Sequence, residues 1–418
     1  MSGALKRDEW ETVRLGDEMK SMPRVLIPDV LYFQEGPGVR NTQYTLSGVK
    51  LLNVSNLHDG FVDLSTSNRY ISEDEAYGRY SHFLVDEGDF IIASSGIKIE
   101  SFDTKMGFID KSHLPLCMNT STIRFKVLDD SKLSIRYFMY YLKSDDFKKQ
   151  LFHHITGSAQ LNFGPSHLKK MTFPLPPLDI QRRIADTLDK VSELITLRKT
   201  QLKKLDELVK ARFVEMFGDP VINPKSWVTA PLSALILNAN NGMARRGKDA
   251  DGSIVLRLVE LQNGFIDYSA PNRICLNETE KKRYELVDND FLFARVNGNP
   301  DSVGRCAVFK GIGEPVFHND HIIRVHFDET KLNGCFTSVL LNSDYGKRQM
   351  REQIKTSAGQ YTISQDGIGV IMTILPPMEL QNQFAAFVEQ TDKSKVIIQQ
   401  SLDALETLKK SLMQEYFG

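Results

Sequence analysis

Two hydrophobic rhythms divide this chain. In the stretch that follows Pro177, Ile184, Leu188, Val191, Ile195, Leu202, Leu205, Val209 and Met216 recur at spacings of three and four, with Arg198 and Arg212 as polar interruptions. No proline or glycine occurs between Pro177 and Gly218. This pattern predicts one helix of about 38 residues, on the order of 57 Å long, with a heptad-like seam and Asp179 as its N-cap. A second stretch, from Glu379 onward, repeats the rhythm more loosely through Phe384, Val388, Ile398, Leu402, Leu405 and Leu412, with Thr391, Lys395 and Lys409 interrupting.

Elsewhere the apolar positions come in short runs broken by Gly, Asn, Asp and Pro. VKLLNVSNL, DFIIASSG and STIRFKVL, and later SIVLRLVEL, DFLFARVNG and HIIRVHF, read as strands with turns between them. SIRYFMYYLKSDDFKKQL and CFTSVLLNSDYGKRQMREQI read as helical pieces between the strands.

The rhythms occur twice because the sequence does. LPPLDIQRRI at 175–184 matches LPPMELQNQF at 375–384, and the ungapped match runs from Leu175–Gly218 to Leu375–Gly418. Upstream, SDDFKKQ (144–150) parallels SDYGKRQ (343–349), NTSTIRF (119–125) parallels NDHIIRV (319–325), and LHDGFVD (57–63) parallels LQNGFID (261–267). WETVRL (10–15) parallels WVTAPL (227–232). The ordered set implies a tandem duplication, with FGDPVINPKSW (217–227) joining the copies. The expected fold is α+β: two mixed domains, each followed by a long helix. One reading folds each helix back on its own domain. The favoured one, since helices of this length cannot bury their stripes within a small domain, packs the two on each other, antiparallel through an approximate twofold axis relating the copies, as a coiled coil.

Composition sets bounds on function. With 418 residues, 41% hydrophobic and 25% charged, the chain is of globular type and long enough for two to four domains. No apolar run approaches the roughly 20 residues of a membrane span, and the N-terminal stretch is too polar for a secretory signal. Cys117, Cys275, Cys306 and Cys335 show no Cys-x-x-Cys spacing, so a cytoplasmic, reducing location without disulfides or a zinc knuckle is expected. A net charge of −1 disfavours coating nucleic acid by bulk electrostatics yet leaves room for a sequence reader with its cations on one face.

Catalytic motifs are missing. There is no phosphate-cradling Gly-x-x-x-x-Gly-Lys-Ser/Thr and no dinucleotide-binding Gly-x-Gly-x-x-Gly. The Pro-Pro pairs lack the polar and aromatic neighbours with which an adenine methyltransferase grips its base. Asp301 with Lys310, Asp103 with Lys105, His318 with His321, and His153 with His154 are scattered pairs with no supporting ligand spacing, so no metal site is expected.

Three loops recur at matching places with different polar residues. The first holds Arg40, Asn41 and Gln43, against Arg245, Arg246 and Lys248. The second holds Lys98 and Lys105, against Arg295, Asn297, Asn299 and Arg305. The third holds Gln160, against Gln360 and Tyr361. Arginine pairs with guanine, and Asn or Gln with adenine, through two hydrogen bonds in the major groove, so these residue types suit base reading. Each loop alone is equally an ordinary solvated turn; two like scaffolds with unlike polar residues would read two different short sequences.

Leu-Pro-Pro-x-Asp/Glu-x-Gln opening a long helix, closed by Phe-Gly-Asp-Pro, then Trp and a second copy, resembles the specificity subunit of Type I restriction–modification systems. The second copy departs slightly, with Glu379 for Asp179 and no Asp-Pro after Phe417-Gly418. The resemblance implies one target recognition domain at 1–178, a first spacer helix at 179–218, a second recognition domain at 219–376 and a second spacer helix at 377–418. It implies a non-catalytic subunit, without a cofactor of its own, that binds a two-part site in double-stranded DNA. Its implied partners are two methyltransferase subunits, which use S-adenosylmethionine, and restriction/motor subunits, which use ATP and magnesium. Two other readings stay open: a scaffold that binds no DNA, and a fused enzyme.

Overall fold

The computed structural model describes Met19 and residues 21–66, 68–154, 161–357 and 359–418. Gln160 and the WETVRL stretch lie outside the described residues. The chain forms two compact units, one of Met1–Arg198 with Ser401–Gly418, the other of Lys199–Gln400.

In the first unit, strands Leu31–Glu35, Thr122–Val127, Phe90–Ala93 and Met106–Phe108 form, in that order, a four-stranded antiparallel sheet. A three-stranded sheet of Leu116–Met118, Val49–Leu52 and Tyr70–Ile71 accompanies it, its first two strands parallel. The second unit repeats both sheets. Ile236–Asn241, Ile322–Phe327, Phe291–Ala294 and Cys306–Val308 form the four-stranded one. Arg273–Ile274, Ser253–Leu256 and Val316–His318 form the other, again with one parallel pair. The expected helical pieces each break in two: Ile135–Leu142 and Asp145–His154 in one copy, Gly334–Asn342 and Asp344–Glu352 in the other.

The long helices are Leu178–Phe217 and Met378–Phe417, of 40 residues each. Asp179 sits in the first turn, not at the cap. The Pro177 carbonyl already accepts from Gln181 N–H at 3.1 Å, so the acidic side chain acts on the positive helix end from inside the turn.

Gln181 and Gln381 explain why the opening phrase repeats. Gln181 is fully buried; its Oε1 accepts from Ser134 N–H at 2.8 Å, and its amide donates to the carbonyls of Lys132 and Pro176, each at 2.8 Å. Gln381 accepts from Asn333 N–H at 2.9 Å and donates to Lys331 and Pro376 carbonyls at 3.0 and 2.8 Å. One amide thus ties the helix start, the Pro-Pro turn and the neighbouring helix start together. The repeated SDDFKKQ motif ends in a similar device: Gln150 holds both backbone groups of Thr172, and Gln349 both of Met372.

Each unit contains the start of one long helix and the end of the other, packed antiparallel. In the first unit, Phe417 lies against Tyr137 and Tyr141, ring centroids 5.4 and 6.1 Å apart, and Arg198 donates to Ser401 Oγ at 3.2 Å. In the second, Phe217 lies 4.8 Å from Phe336 and 5.5 Å from Phe384, while Lys395 meets Asp206 at 2.8 Å and Arg212 lies over the Phe387 ring. Ile184, Leu188, Val191, Ile195, Val209, Phe384, Val388, Leu402 and Leu412 are buried, and Leu202, Leu205 and Ile398 half-buried. Phe213, which the heptad reading passed over, is buried against Phe336.

The joining segment closes the first long helix. Trp227 Nε1 donates to the Phe217 carbonyl at 2.8 Å, and Lys225 Nζ donates to the carbonyls of Glu215 and Met216. Helix-end carbonyls that have no partner within the helix are satisfied by these side chains.

Candidate nucleic-acid interface

In each unit the first two loops bond to one tight turn, and the described part of the third bonds to the second. In the first unit that turn is Asn119–Ser121, with Ser121 at φ 72°. Gly36 of the first loop donates to the Thr122 carbonyl at 2.9 Å, and Thr120 Oγ1 to the Pro37 carbonyl at 2.9 Å. Ser94 of the second loop donates to the Ser121 carbonyl at 2.8 Å and its own carbonyl accepts from Phe163 N–H of the third loop (156–164) at 3.0 Å.

The turn Asn319–His321 does the same in the second unit. Met243 N–H donates to the His318 carbonyl, and the Met243 carbonyl accepts from Asp320 N–H, both at 3.0 Å. Arg295 N–H donates to the His321 carbonyl at 2.8 Å, and the Arg295 carbonyl accepts from Ile363 N–H at 2.9 Å. The second and third loops there share a sheet of Val296–Asn297, Gln360–Thr362 and Lys355–Ser357, with Asn297 opposite Tyr361. Gln365 Nε2 adds a 3.2 Å bond to Asn241 of the first loop.

Close approach of the first loop to this turn requires glycine. A Cβ at Gly36 would sit 2.1 Å from the Asn119 carbonyl oxygen, and one at Gly242 would sit 2.3 Å from that of Asn319. Sequence reasoning missed the turn, although its signal was present as the paired NTST and NDHI motifs.

Many nominated side chains hold the loops in shape. Gln43 Nε2 donates to Glu75 at 2.7 Å and Tyr80 at 3.0 Å, and Lys105 Nζ donates to the Leu57 carbonyl. Arg245 is clamped by Glu280 at 2.9 Å and by the Cys275 carbonyl. Arg246 pairs with Asp320 at 2.7 Å and meets His321 Nε2 at 3.1 Å. Burial, with the charges of Arg246 and Arg295, holds the His321 imidazole below its ordinary pKa against the pull of Asp320, so its Nε2 can accept a hydrogen bond from Arg246.

Arg295 Nη1 donates to the Asp320 carbonyl at 3.1 Å. Arg305 donates to the Leu258 carbonyl, and burial lowers its pKa. Asn297 and Asn299 accept from backbone N–H groups two residues on, and Tyr361 packs half-buried against the core. Arg40, Asn41, Lys98, Lys248 and Gln360 are exposed.

Each unit also carries an Arg–Asp pair whose carboxylate is buried. Arg124 reaches Asp89 at 3.3 Å and Gln34 at 2.5 Å. Arg324 reaches Asp290 at 3.6 Å and Asn238 at 2.7 Å. No group of three His, Cys, Asp or Glu among the described residues is placed to hold a metal ion, and no helix among them is long and apolar enough to cross a membrane.

Residues 7–207 match the family described as the Type I restriction modification DNA specificity domain. The chain is 26% identical over 302 residues to the StySPI specificity subunit of Salmonella potsdam, covering 68% of this chain and 65% of that one. It is 23% identical over 348 residues to the EcoKI specificity subunit of Escherichia coli K12, covering 79% and 74%. The match thus spans a little under two thirds of the Salmonella protein. The crystal structure of a Type I system S subunit from M. genitalium superposes with a TM-score of 0.57 at 14% identity, covering 95% of this chain and 96% of that one.

Proposed function

We propose that this chain, a member of the Type I restriction–modification specificity-subunit family through the domain at residues 7–207, reads a two-part gapped site in double-stranded DNA, one half per recognition domain. The observation that carries the reading is a repeated frame, in which the first two loops bond to one turn, Asn119–Ser121 or Asn319–His321, and the third bonds to the second, with unlike polar side chains on it. A common frame with different exposed donors suits two different base sequences. Arginines held by Asp320 and Glu280 enter such a site already oriented, which lowers the ordering cost of each contact.

On this reading the chain has no catalysis of its own. It brings methyltransferase subunits, with their S-adenosylmethionine, and restriction/motor subunits, with ATP and magnesium, to the site it selects. The paired long helices set the gap between the half-sites. Mapping methylated adenines across the host genome, with and without the gene, tests this. Loss of methylation at one gapped motif on deletion supports the reading; a genome whose methylation is unchanged, in cells where the partner methyltransferase is present and active, overturns it.

A further inference from the structure

A cationic patch in the first unit has no counterpart in the second. Helix Asp145–His154 ends on Phe152, His153 and His154, and the short helix Pro165–Leu168 with its following turn carries His167, Lys169 and Lys170. The His153 and His154 rings meet edge to face at 5.3 Å, and His154 lies within electrostatic reach of His153, Lys170 and His167. His153, Lys169 and Lys170 are exposed, and Phe152 beside them is 67% exposed.

In the second copy the matching positions are Arg351, Glu352, Gln353, Gly367, Gly369 and Val370, and the one cation among them, Arg351, is paired with Asp301 at 2.7 Å. Both copies build helices at these places, so the frame does not need the charges. A helix C-terminus attracts cations, which accounts for two histidines at the end of one helix but not for the cations that meet them from another. The three imidazoles do not form a chelate, since no metal-holding group exists among the described residues.

We propose that His153, His154, Lys169 and Lys170 grip the DNA backbone phosphates flanking the half-site read by the first domain, and that the grip tightens as pH falls. This rests on the reading of the chain as a DNA reader. His167 Nδ1 accepts from Gly164 N–H at 3.1 Å, which leaves Nε2 to donate into the patch. His154 is the titrating group, with the His153 ring against it. Burial and the neighbouring cations hold His154 below the ordinary imidazole pKa, so at neutral pH it is uncharged, and a bound phosphate favours its protonation.

The other charged groups on the elements packed around the patch are few. Asp103 is paired with Lys148 at 2.7 Å, and Asp146 with Arg24 at 2.7 Å. Asp145, Lys149, Lys98 and Glu100 are exposed, and Glu35, beside Gly164, has its carboxyl pKa raised by burial.

The test is binding of the full-length chain to a mixed-sequence duplex across salt concentration, at about pH 7.5 and about pH 5.5, which bracket the imidazole range. Each lost phosphate contact removes about 0.9 from the log–log salt slope, so K169Q/K170Q is expected to lower the slope by about one to two. H153Q/H154Q is expected to lose the gain in affinity at the lower pH, while H153K/H154K binds tightly at both. Wild-type salt slope and pH response in all three variants overturn the proposal. If the wild-type chain itself shows no salt-dependent duplex binding, the DNA reading falls, and the patch proposal with it.

Discussion

Gln181 and Gln381 show how much one buried amide can do. Each satisfies one backbone N–H and two carbonyls at the point where a mixed domain turns into a long helix. Replacing Gln381 by Leu keeps similar bulk but orphans those groups, at about 1–3 kcal/mol for each that stays dry. Gln381→Leu is therefore expected to cost about 3 kcal/mol in urea unfolding and to loosen the second unit alone. A loss under about 0.5 kcal/mol would show that water replaces the amide. The repeated glutamine was plain in the sequence, but its task was not, because its partners Ser134 and Asn333 lie 47 and 48 residues away. The arginines of the first loop in the second unit were equally visible as base-reading types. That Arg245 and Arg246 are already held by Glu280 and Asp320 depends on partners 35 and more residues distant, which no local pattern reports.

At the scale of elements, the two seven-residue rhythms carried the long helices, and the six alternating runs carried the principal strands, because period alone separates a striped helix from a half-buried strand. Three of the five polar interruptions in the seam have partners across the helix pair: Arg198 with Ser401, Lys395 with Asp206, Arg212 with the Phe387 ring; Thr391 instead donates to the Phe387 carbonyl of its own helix. Such pairs favour one register over its neighbours, as polar seam positions do in other coiled coils. What no rhythm disclosed is that each long helix ends in the aromatic core beside the other helix's start. Phe417, 6% exposed at the end of the chain, completes the packing of Tyr137 and Tyr141. Phe417→Ala should cost about 3–5 kcal/mol in the first unit. Hydrogen exchange would show it as lost protection around residues 135–142, with residues 334–342 unaffected. Equal loosening of both stretches would contradict the assignment of the last helical turns to the first unit.

For the whole molecule the question is what fixes the gap between two half-sites. On the proposed reading it is the length of the helix pair, since the loops that would touch bases belong to the domains and the helices carry none of them. One heptad rotates a helix to within about 20° of whole turns, so removing seven residues from both helices in register preserves the seam. Seven residues correspond to about 10 Å of helix, close to the rise of three base pairs. The twist lost with those base pairs has to be absorbed by the DNA or the domains, so the gap should narrow by about one to three. Both half-sequences should stay as they were, because neither set of loops changes. Methylation mapping in cells carrying the doubly shortened chain reads gap and half-sites together. A methylated motif with its original gap would mean that something other than helix length sets the spacing. Altered half-sequences would mean that the helices also shape the reading loops.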